Sequence, residues 1–324
     1  MGAFFLIGLG INKVSEDLGI GNVFRLAASF VSAPNSQLAS TDGRTNILIM
    51  GKAGGSHEGP DLTDTMIVAS ISLTKPEIVT VSIPRDLWIP EIRAKINSAY
   101  YWGNQKNPGD GINFAKSITS GVMGIPVHYG VVIDFSAFKD IVDALGGIQV
   151  TVENGFTDKL YPIEGRENDT CAGDTTFACR YETITFLPGI QQMGGETALK
   201  FVRSRHAEGA EGTDQARGSR QQKVIEGIKS KIMSPKVFLS SKVDLALLTI
   251  AKKYIQTDMD GPTVAILARN AIRSKGTVKQ NLIPGDFLIN PPISKTYDKL
   301  YVLIPRNGNG NWKEINSWVQ GLLK

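Results

Sequence analysis

The sequence predicts an α/β fold, a mixed central sheet covered by helices. Three observations carry that prediction. Short apolar runs of strand length recur between segments with helical spacing. Strands and helices alternate, but without the one-to-one rhythm of an all-parallel sheet. No Pro-, Gly- or Ser-rich linker divides the chain after Asn46, so residues 46–324 read as one domain.

The elements follow in order. Asn46 to Gly51 (NILIMG) is an apolar run closed by glycine, as in a buried strand. Lys52 to Asp61 (KAGGSHEGPD) is a glycine-rich loop. Thr65 to Ser72 and Glu77 to Pro84 are two further strands, joined at Thr74-Lys75-Pro76. Asn113 to Met123 reads as a helix, Val127 to Asp134 as a strand, and Phe135 to Leu145 as a helix stopped by Gly146-Gly147. Ile148 to Val152 is another strand. Glu153 to Tyr181 is long and polar, and is predicted to be an excursion from the core. Gly194 to Val202 and Gln215 to Met233 read as a short and a longer helix. Val243 to Tyr254, Thr263 to Arg273 and Trp312 to Leu323 are helical, and Leu300 to Pro305 (LYVLIP) is a strand.

The 324 residues are 42% hydrophobic and 20% charged, an ordinary globular composition. A net charge of +4 argues against a dedicated nucleic-acid coat and leaves room for a local basic site. Cys171 and Cys179 lie close together without histidine partners, a poor metal site. They read as a disulfide outside the cytosol, or as two separate thiols. Met1 to Ile11 (MGAFFLIGLGI) is strongly apolar but shorter than the about 20 residues that cross a bilayer. It lacks a basic start and a cleavage site. It is expected to be the end of a truncated membrane anchor, or else a small core element. Residues 12–45 read as a connector with an amphipathic patch at Val23 to Val31.

One stretch concentrates positive charge. Phe201 to Lys223 (FVRSRHAEGAEGTDQARGSRQQK) holds Arg203, Arg205, Arg217 and Arg220 around a glycine-rich, acidic loop. On the following helix Val224, Ile225, Ile228 and Ile232 have the spacing of a buried stripe. Continued backwards, that stripe meets Gln221, Arg220 and Arg217. Arginine is rarely buried unpaired, and its planar fork suits phosphate oxygens. The stretch therefore reads either as an anion pocket at a helix start or as ion pairs with Glu208, Glu211 and Asp214. It has no interleaved aromatics for stacking on bases.

Other residues admit two readings each. Asp64, at a strand entry beside the glycine-rich loop, suits a divalent cation or a turn. Arg85 and Asp86, in IPRD, are a strand-end ion pair or part of a site. Gly54-Gly55 is not a P-loop, because no GKS or GKT follows. His57 and His206 lack metal-ligand spacing, and His128 reads as structural. Neither GxSxG nor HExxH occurs.

Together these pieces resemble the LytR-CpsA-Psr family. The resemblance is carried by NILIMG, DLTDTMIVASI, VSIPRDLWIP, KINSAYYWG, VVIDFSAFKDIVDALGGIQV and ALKFVRSRHAEGAEGTDQARGSRQQKVI, in that order from Asn46 to Ile232. It implies a membrane-anchored, extracytoplasmic phosphotransferase. The enzyme would move a glycopolymer phosphate from a polyprenyl-pyrophosphate carrier to peptidoglycan or another envelope acceptor, with magnesium, or alternatively manganese. It implies that Arg85, Arg203, Arg205, Arg217 and Arg220 surround the pyrophosphate, with Gln221, Asp86 and Asp214 as further polar residues. Asp64, Arg85, Arg203 and Arg217 are the implied catalytic set, and Asp64 is also the implied metal ligand. Two departures stand out. Leu62 occupies the place of a frequent arginine, and Gly51-Lys52-Ala53 replaces a G-x-D pattern. His57, Glu58 or Asp61 would have to supply the second metal ligand. A pyrophosphate hydrolase and a non-catalytic lipid-phosphate or envelope-polymer binding module are the competing readings.

Overall fold

The protein is described by a computed structural model in which residues 23–52, 61–166, 168–232, 234, 237, 241–274 and 276–324 are placed. Met1 to Ile11, His57 and Glu58 lie outside these described residues, as does Gly54-Gly55. The described residues form two compact units, one from residues 23–52, 61–134 and 255–324, the other from residues 135–254. Both crossings fall between a strand and a helix, at Asp134–Phe135 and Tyr254–Ile255. No linker composition marks them, which is why the sequence reads as continuous there.

In chain order the first unit opens with helix α1 (Val23–Ser32), where the sequence shows its amphipathic patch. Strands β1 (Arg44–Lys52), β2 (Thr65–Ser72) and β3 (Ile78–Ser82) follow, then the two-residue strands β4 (Trp88–Ile89) and β5 (Ala94–Lys95). Helices α2 (Ala99–Lys106) and α3 (Gly111–Met123) lead to β6 (Tyr129–Asp134). The second unit holds α4 (Ala137–Ala144), β7 (Ile148–Val152), β8 (Phe156–Pro162), β9 (Tyr181–Phe186) and β10 (Gly189–Met193). It ends with α5 (Gly195–Arg203), α6 (Asp214–Ile232) and α7 (Ser241–Tyr254). The chain then completes the first unit with β11 (Ile255–Thr257), α8 (Gly261–Arg273), β12 (Val278–Leu282), β13 (Leu288–Ile289), β14 (Ile304–Pro305) and α9 (Lys313–Leu323).

The main sheet has the order β11-β6-β1-β2-β3-β12. β1 runs antiparallel to β2 and parallel to β6, and β3 runs parallel to β12, so the sheet is mixed as the sequence predicts. The middle of β1, Ile47 to Met50, is continuously apolar because both its faces are buried. Leu48 and Met50 enter one core with Met123, Val132 and Ile315, while Ile47 and Ile49 pack with Ile71, Ile266 and Leu267 on the other face. In the second unit, β7 pairs with β10 and β8 with β9. These ladders and helices α4 to α7 share a separate core around Ile148, Met193, Phe201 and Val224.

Three expectations need correction. The stretch after Glu153 is not wholly an excursion, because β8 pairs with β9 and buries Phe156 and Tyr161. Its alternation is hidden in the sequence because Asp158 is one of the inward residues and the register shifts between Asp158 and Tyr161. Only Ile304–Pro305 of the expected strand at Leu300 to Pro305 pairs in a ladder. Leu303 instead exchanges backbone hydrogen bonds with Asp86 and Trp88, at 2.9 and 2.8 Å. On α6 the buried stripe runs through Arg220, Val224 and Gly227, leaving Ile225 63% exposed and Gln221 exposed.

Candidate functional site

In the first unit three sequence motifs meet at one end of the sheet. The backbone N–H and hydroxyl of Thr63 both donate to the carbonyl of Asn97, at 2.9 and 3.0 Å. This ties DLTDT to KIN. Asn97 then donates from Nδ2 to Asp64 Oδ1 at 3.4 Å. Arg85, from IPRD, reaches the same oxygen with NH1 at 3.2 Å. Its Nε lies 3.6 Å from Asp86, and Lys95 Nζ approaches Asp86 to 2.5 Å. Arg85 and Asp64 remain about half exposed, at 52% and 43% of their side chains, so this ion pair faces solvent and stays accessible.

Lys52 ends β1 on the same edge. Its ammonium lies 2.8 Å from Asp61 and 3.9 Å from Asp134, with the Tyr100 ring centroid at 5.8 Å. Burial works against the charged form. The hydrogen bond and charge of Asp61, with Tyr100 and Asp134, outweigh it and raise the Lys52 pKa above its ordinary value.

In the second unit the basic stretch is held from beneath by two buried charges of opposite sign. Arg220, 2% exposed, donates from Nε to the carbonyl of Phe201 at 3.0 Å and from NH2 to that of Ser204 at 2.8 Å. Its NH1 donates to the carbonyl and the carboxylate of Glu211, at 2.8 and 2.9 Å. The guanidinium also lies 4.8 Å from the Phe156 ring. Asp158, fully buried, accepts from Ser204 Oγ at 2.7 Å and from the N–H groups of Arg205 and His206 at 3.2 and 3.1 Å. Desolvation would raise the Asp158 pKa. These donors, with the Leu160 N–H, reverse the shift and hold it below the ordinary carboxylate value. Residues 201–206 are thus gripped by their carbonyls from α6 and by their amides from β8.

This grip corrects the reading of Arg220 as a pyrophosphate ligand, because its guanidinium is enclosed by Glu211, three carbonyls and an aromatic face. The ion-pair alternative holds for Arg220 with Glu211, although buried rather than solvated, while Glu208 pairs with Lys159. Arg205 is exposed, Arg203 is half-buried at the end of α5, and Gln221 is exposed on α6. Arg217 and Asp214 lie in the first turn of α6, where their side chains are not described. Close packing sets the path of α6. A Cβ on Gly227 would stand 2.7 Å from the carbonyl oxygen of Gln149 on β7. Asp158 was missed in the sequence. The available signal was an acid at an inward position of the F-T-D-K-L-Y run.

Cys171 and Cys179 form a disulfide across an exposed loop, with Cα atoms 5.6 Å apart. His128 has the structural role its sequence position suggests. Its Nδ1 accepts from the Asn46 N–H at 2.9 Å, and burial, with Lys116, lowers its pKa.

The implied magnesium requires oxygen ligands, typically one or two carboxylates with waters and substrate phosphates. Among the described residues, Asp61 and Asp134 face the Lys52 ammonium, and Asp64 Oδ1 faces Arg85 and Asn97. The one cluster of three ligating side chains among them is Asp169 with Cys171 and Cys179, whose sulfurs are bonded to each other. The described donor set does not fit a resident divalent cation.

Comparison with known proteins gives a consistent picture. The LytR_cpsA_psr family model matches residues 25–310. A protein of Enterococcus faecalis named polyisoprenyl-teichoic acid–peptidoglycan teichoic acid transferase TagU is 27% identical over 237 residues. The match covers 72% of this chain and 66% of that protein, just under two thirds of its length. A Bacillus licheniformis protein of the same name is 30% identical over 172 residues, 52% of this chain and 46% of its own. A crystal structure from Enterococcus faecalis, described as a transcriptional regulator, matches with a TM-score of 0.50 at 22% identity. It covers 89% of this chain and 88% of that one, a likeness of fold alone.

Proposed function

The chain belongs to the LytR-CpsA-Psr family, and from that premise we propose that it is a phosphotransferase of the cell envelope. Its donor is a glycopolymer on a polyprenyl-pyrophosphate carrier, and its acceptor is a hydroxyl of peptidoglycan or another envelope polymer. The names of its relatives point to a teichoic-acid-like donor. The observation that carries the reading is the meeting of DLTDT, IPRD and KIN around the accessible Asp64 carboxylate.

In the proposed reaction the acceptor oxygen attacks the glycan-bearing phosphorus. The bond from that phosphorus to the bridging oxygen breaks, and polyprenyl monophosphate leaves with the electron pair. Asp64 takes the acceptor's proton, a role that needs a carboxylate within hydrogen-bond reach of the hydroxyl. Arg85 holds that carboxylate and offsets charge on the phosphates, because such transfer depends mainly on positioning and electrostatic stabilisation. On the second unit, Arg203, Arg205 and Arg217, with Gln221 and Asp214, are proposed as contacts for an anionic group, and Asp86 is a further polar residue beside Arg85. Arg220 is a positioning residue that shapes the loop carrying Arg203 and Arg205.

The proposed location is outside the cytoplasmic membrane. The disulfide favours an oxidising compartment. Among the described residues no helix is long and apolar enough to cross a membrane.

The test is to incubate the protein with a polyprenyl-pyrophosphate glycan and peptidoglycan oligomers, and to read acceptor-linked glycan phosphate by mass spectrometry. Asp64→Asn should abolish transfer and largely keep lipid binding. Free phosphorylated glycan at the same rate with and without acceptor would make the protein a hydrolase. No turnover with any acceptor would make it a binding module.

A further inference from the structure

We propose that the Lys52 ammonium stands in for a resident divalent cation at the carboxylate edge of the main sheet, so that the protein holds this edge together without bound metal. The inference rests on the reading of this edge as part of the reactive site. Its support is the order of charges across three neighbouring strands. In the parallel register of β1 and β6, Lys52 is paired with Asp134. In the antiparallel register of β1 and β2, Gly51 is paired with Thr65, which puts Lys52 and Asp64 at the same end of the two strands. The ammonium at the end of the middle strand therefore meets Asp134 from β6 on one side and Asp61 from the loop, while Asp64 at the entry of β2 is held by Arg85.

Such an arrangement of acids calls for a positive charge between them, because like charges in a partly buried place repel strongly. Lys52 supplies it. Its side chain is only 14% exposed, and that of Asp134 only 16%. The ammonium donates to Asp61 at 2.8 Å, and its charge lies against the Tyr100 ring. Tyr100 is itself fixed, because its hydroxyl donates to Gln256 Oε1 at 2.5 Å. A covalently attached cation with three described partners leaves no vacancy for a second cation between the same acids. It would also keep a fixed positive charge beside a polyanionic donor, where lysine acts as a point charge. The Gly51-Lys52-Ala53 sequence then replaces metal chemistry with a side chain and is not simply a loss.

The experiment compares Mn2+ binding, by electron paramagnetic resonance and titration calorimetry, and melting temperature with Mg2+ or EDTA. The proteins are the wild type, Lys52→Met, Lys52→Arg and the double variant Lys52→Met/Asp61→Asn. The wild type and Lys52→Arg should bind Mn2+ only weakly, and EDTA should not shift their melting. Lys52→Met should bind Mn2+ at least about tenfold more tightly than the wild type, because a repelling charge has gone. Adding Asp61→Asn should cancel that gain. Tight wild-type Mn2+ binding with EDTA-sensitive melting would overturn the proposal, as would a folded Lys52→Met with no gain. Should Lys52→Met not fold, Lys52→Gln carries the same comparison, and the wild-type measurement alone can still refute the idea. Failure of the transferase reading would appear separately, as missing turnover with the metal results intact.

Discussion

Replacing Arg220 by alanine tests whether this arginine serves the ligand or the fold. The guanidinium is 2% exposed and makes four hydrogen bonds, one of them to the Glu211 carboxylate, whose side chain is 18% exposed. Alanine removes the cation and leaves Glu211 and three carbonyls without their donor. Breaking one side of a buried ion pair costs about 3–5 kcal/mol. A loss of that size lowers the melting temperature by on the order of 10 °C. Arg220→Lys restores charge but not the fork, so it should fall between alanine and the wild type. Arg205→Ala is the contrast. Its side chain is exposed, so stability should change by no more than about 0.5 kcal/mol. Affinity for a polyprenyl pyrophosphate should drop about tenfold or more, the loss of one charge-assisted hydrogen bond. The assays are thermal unfolding and lipid binding measured well below the transition. An Arg220→Ala protein that melts like the wild type but no longer binds the lipid would refute the structural role.

Three other predictions concern the fold. Glu77 is held at a pKa of about 2, below the ordinary 4.5, chiefly by the hydrogen bond from Lys279, against the opposing effect of burial and with help from Lys75 and Arg44. A lowered folded pKa gives stability that is present above 4.5 and is lost as pH falls towards 2. Urea midpoints across that window should fall less steeply in Glu77→Gln. Gly227→Ala should destabilise, because overpacking against the Gln149 carbonyl costs about 1–3 kcal/mol, whereas alanine's helix propensity returns only about 1 kcal/mol. A melting temperature at or above the wild-type value would show that β7 yields. Reducing the Cys171–Cys179 bond should loosen the exposed loop first, seen as faster proteolysis at residues 163–180, with little change in the melting of the main sheet.

The main sheet was legible because β1, β2 and β3 are largely apolar runs between turn residues, interrupted only by small hydroxyl residues such as Ser70 and Thr80 after the polar start of β1. Edge strands were not. Val278–Leu282 reads V-K-Q-N-L and is mostly exposed, so only its pairing with β3 makes it a strand. The candidate site divides in the same way. Asp64, Arg85 and Asn97 lie in motifs, and their meeting follows from the hairpin that returns IPRD to KIN. The role of Arg220 could not be read from spacing alone, because a buried arginine facing a ligand and one facing a carboxylate have the same helical period. What separates them is the loop at Glu211, and where a loop folds back is a tertiary fact. Asp158 was hidden for a related reason. A buried acid satisfied by backbone amides and one serine hydroxyl has no basic partner in the sequence to announce it.

The grip on residues 201–206 has a consequence for how this surface can change. Among the described residues, Asp158 and Arg220, both outside the segment, hold its backbone at Phe201, Ser204, Arg205 and His206. The loop is therefore a socket whose shape is set independently of the two side chains it displays. Substitutions at 205 and 206 should change how tightly the anionic donor is held while leaving melting unchanged, so a set of variants at these positions should vary in affinity far more than in stability. Asp158 and Arg220 have the opposite character. They share one peptide group, Ser204–Arg205, whose carbonyl accepts from Arg220 and whose N–H donates to Asp158, so neither can be exchanged without loosening the socket.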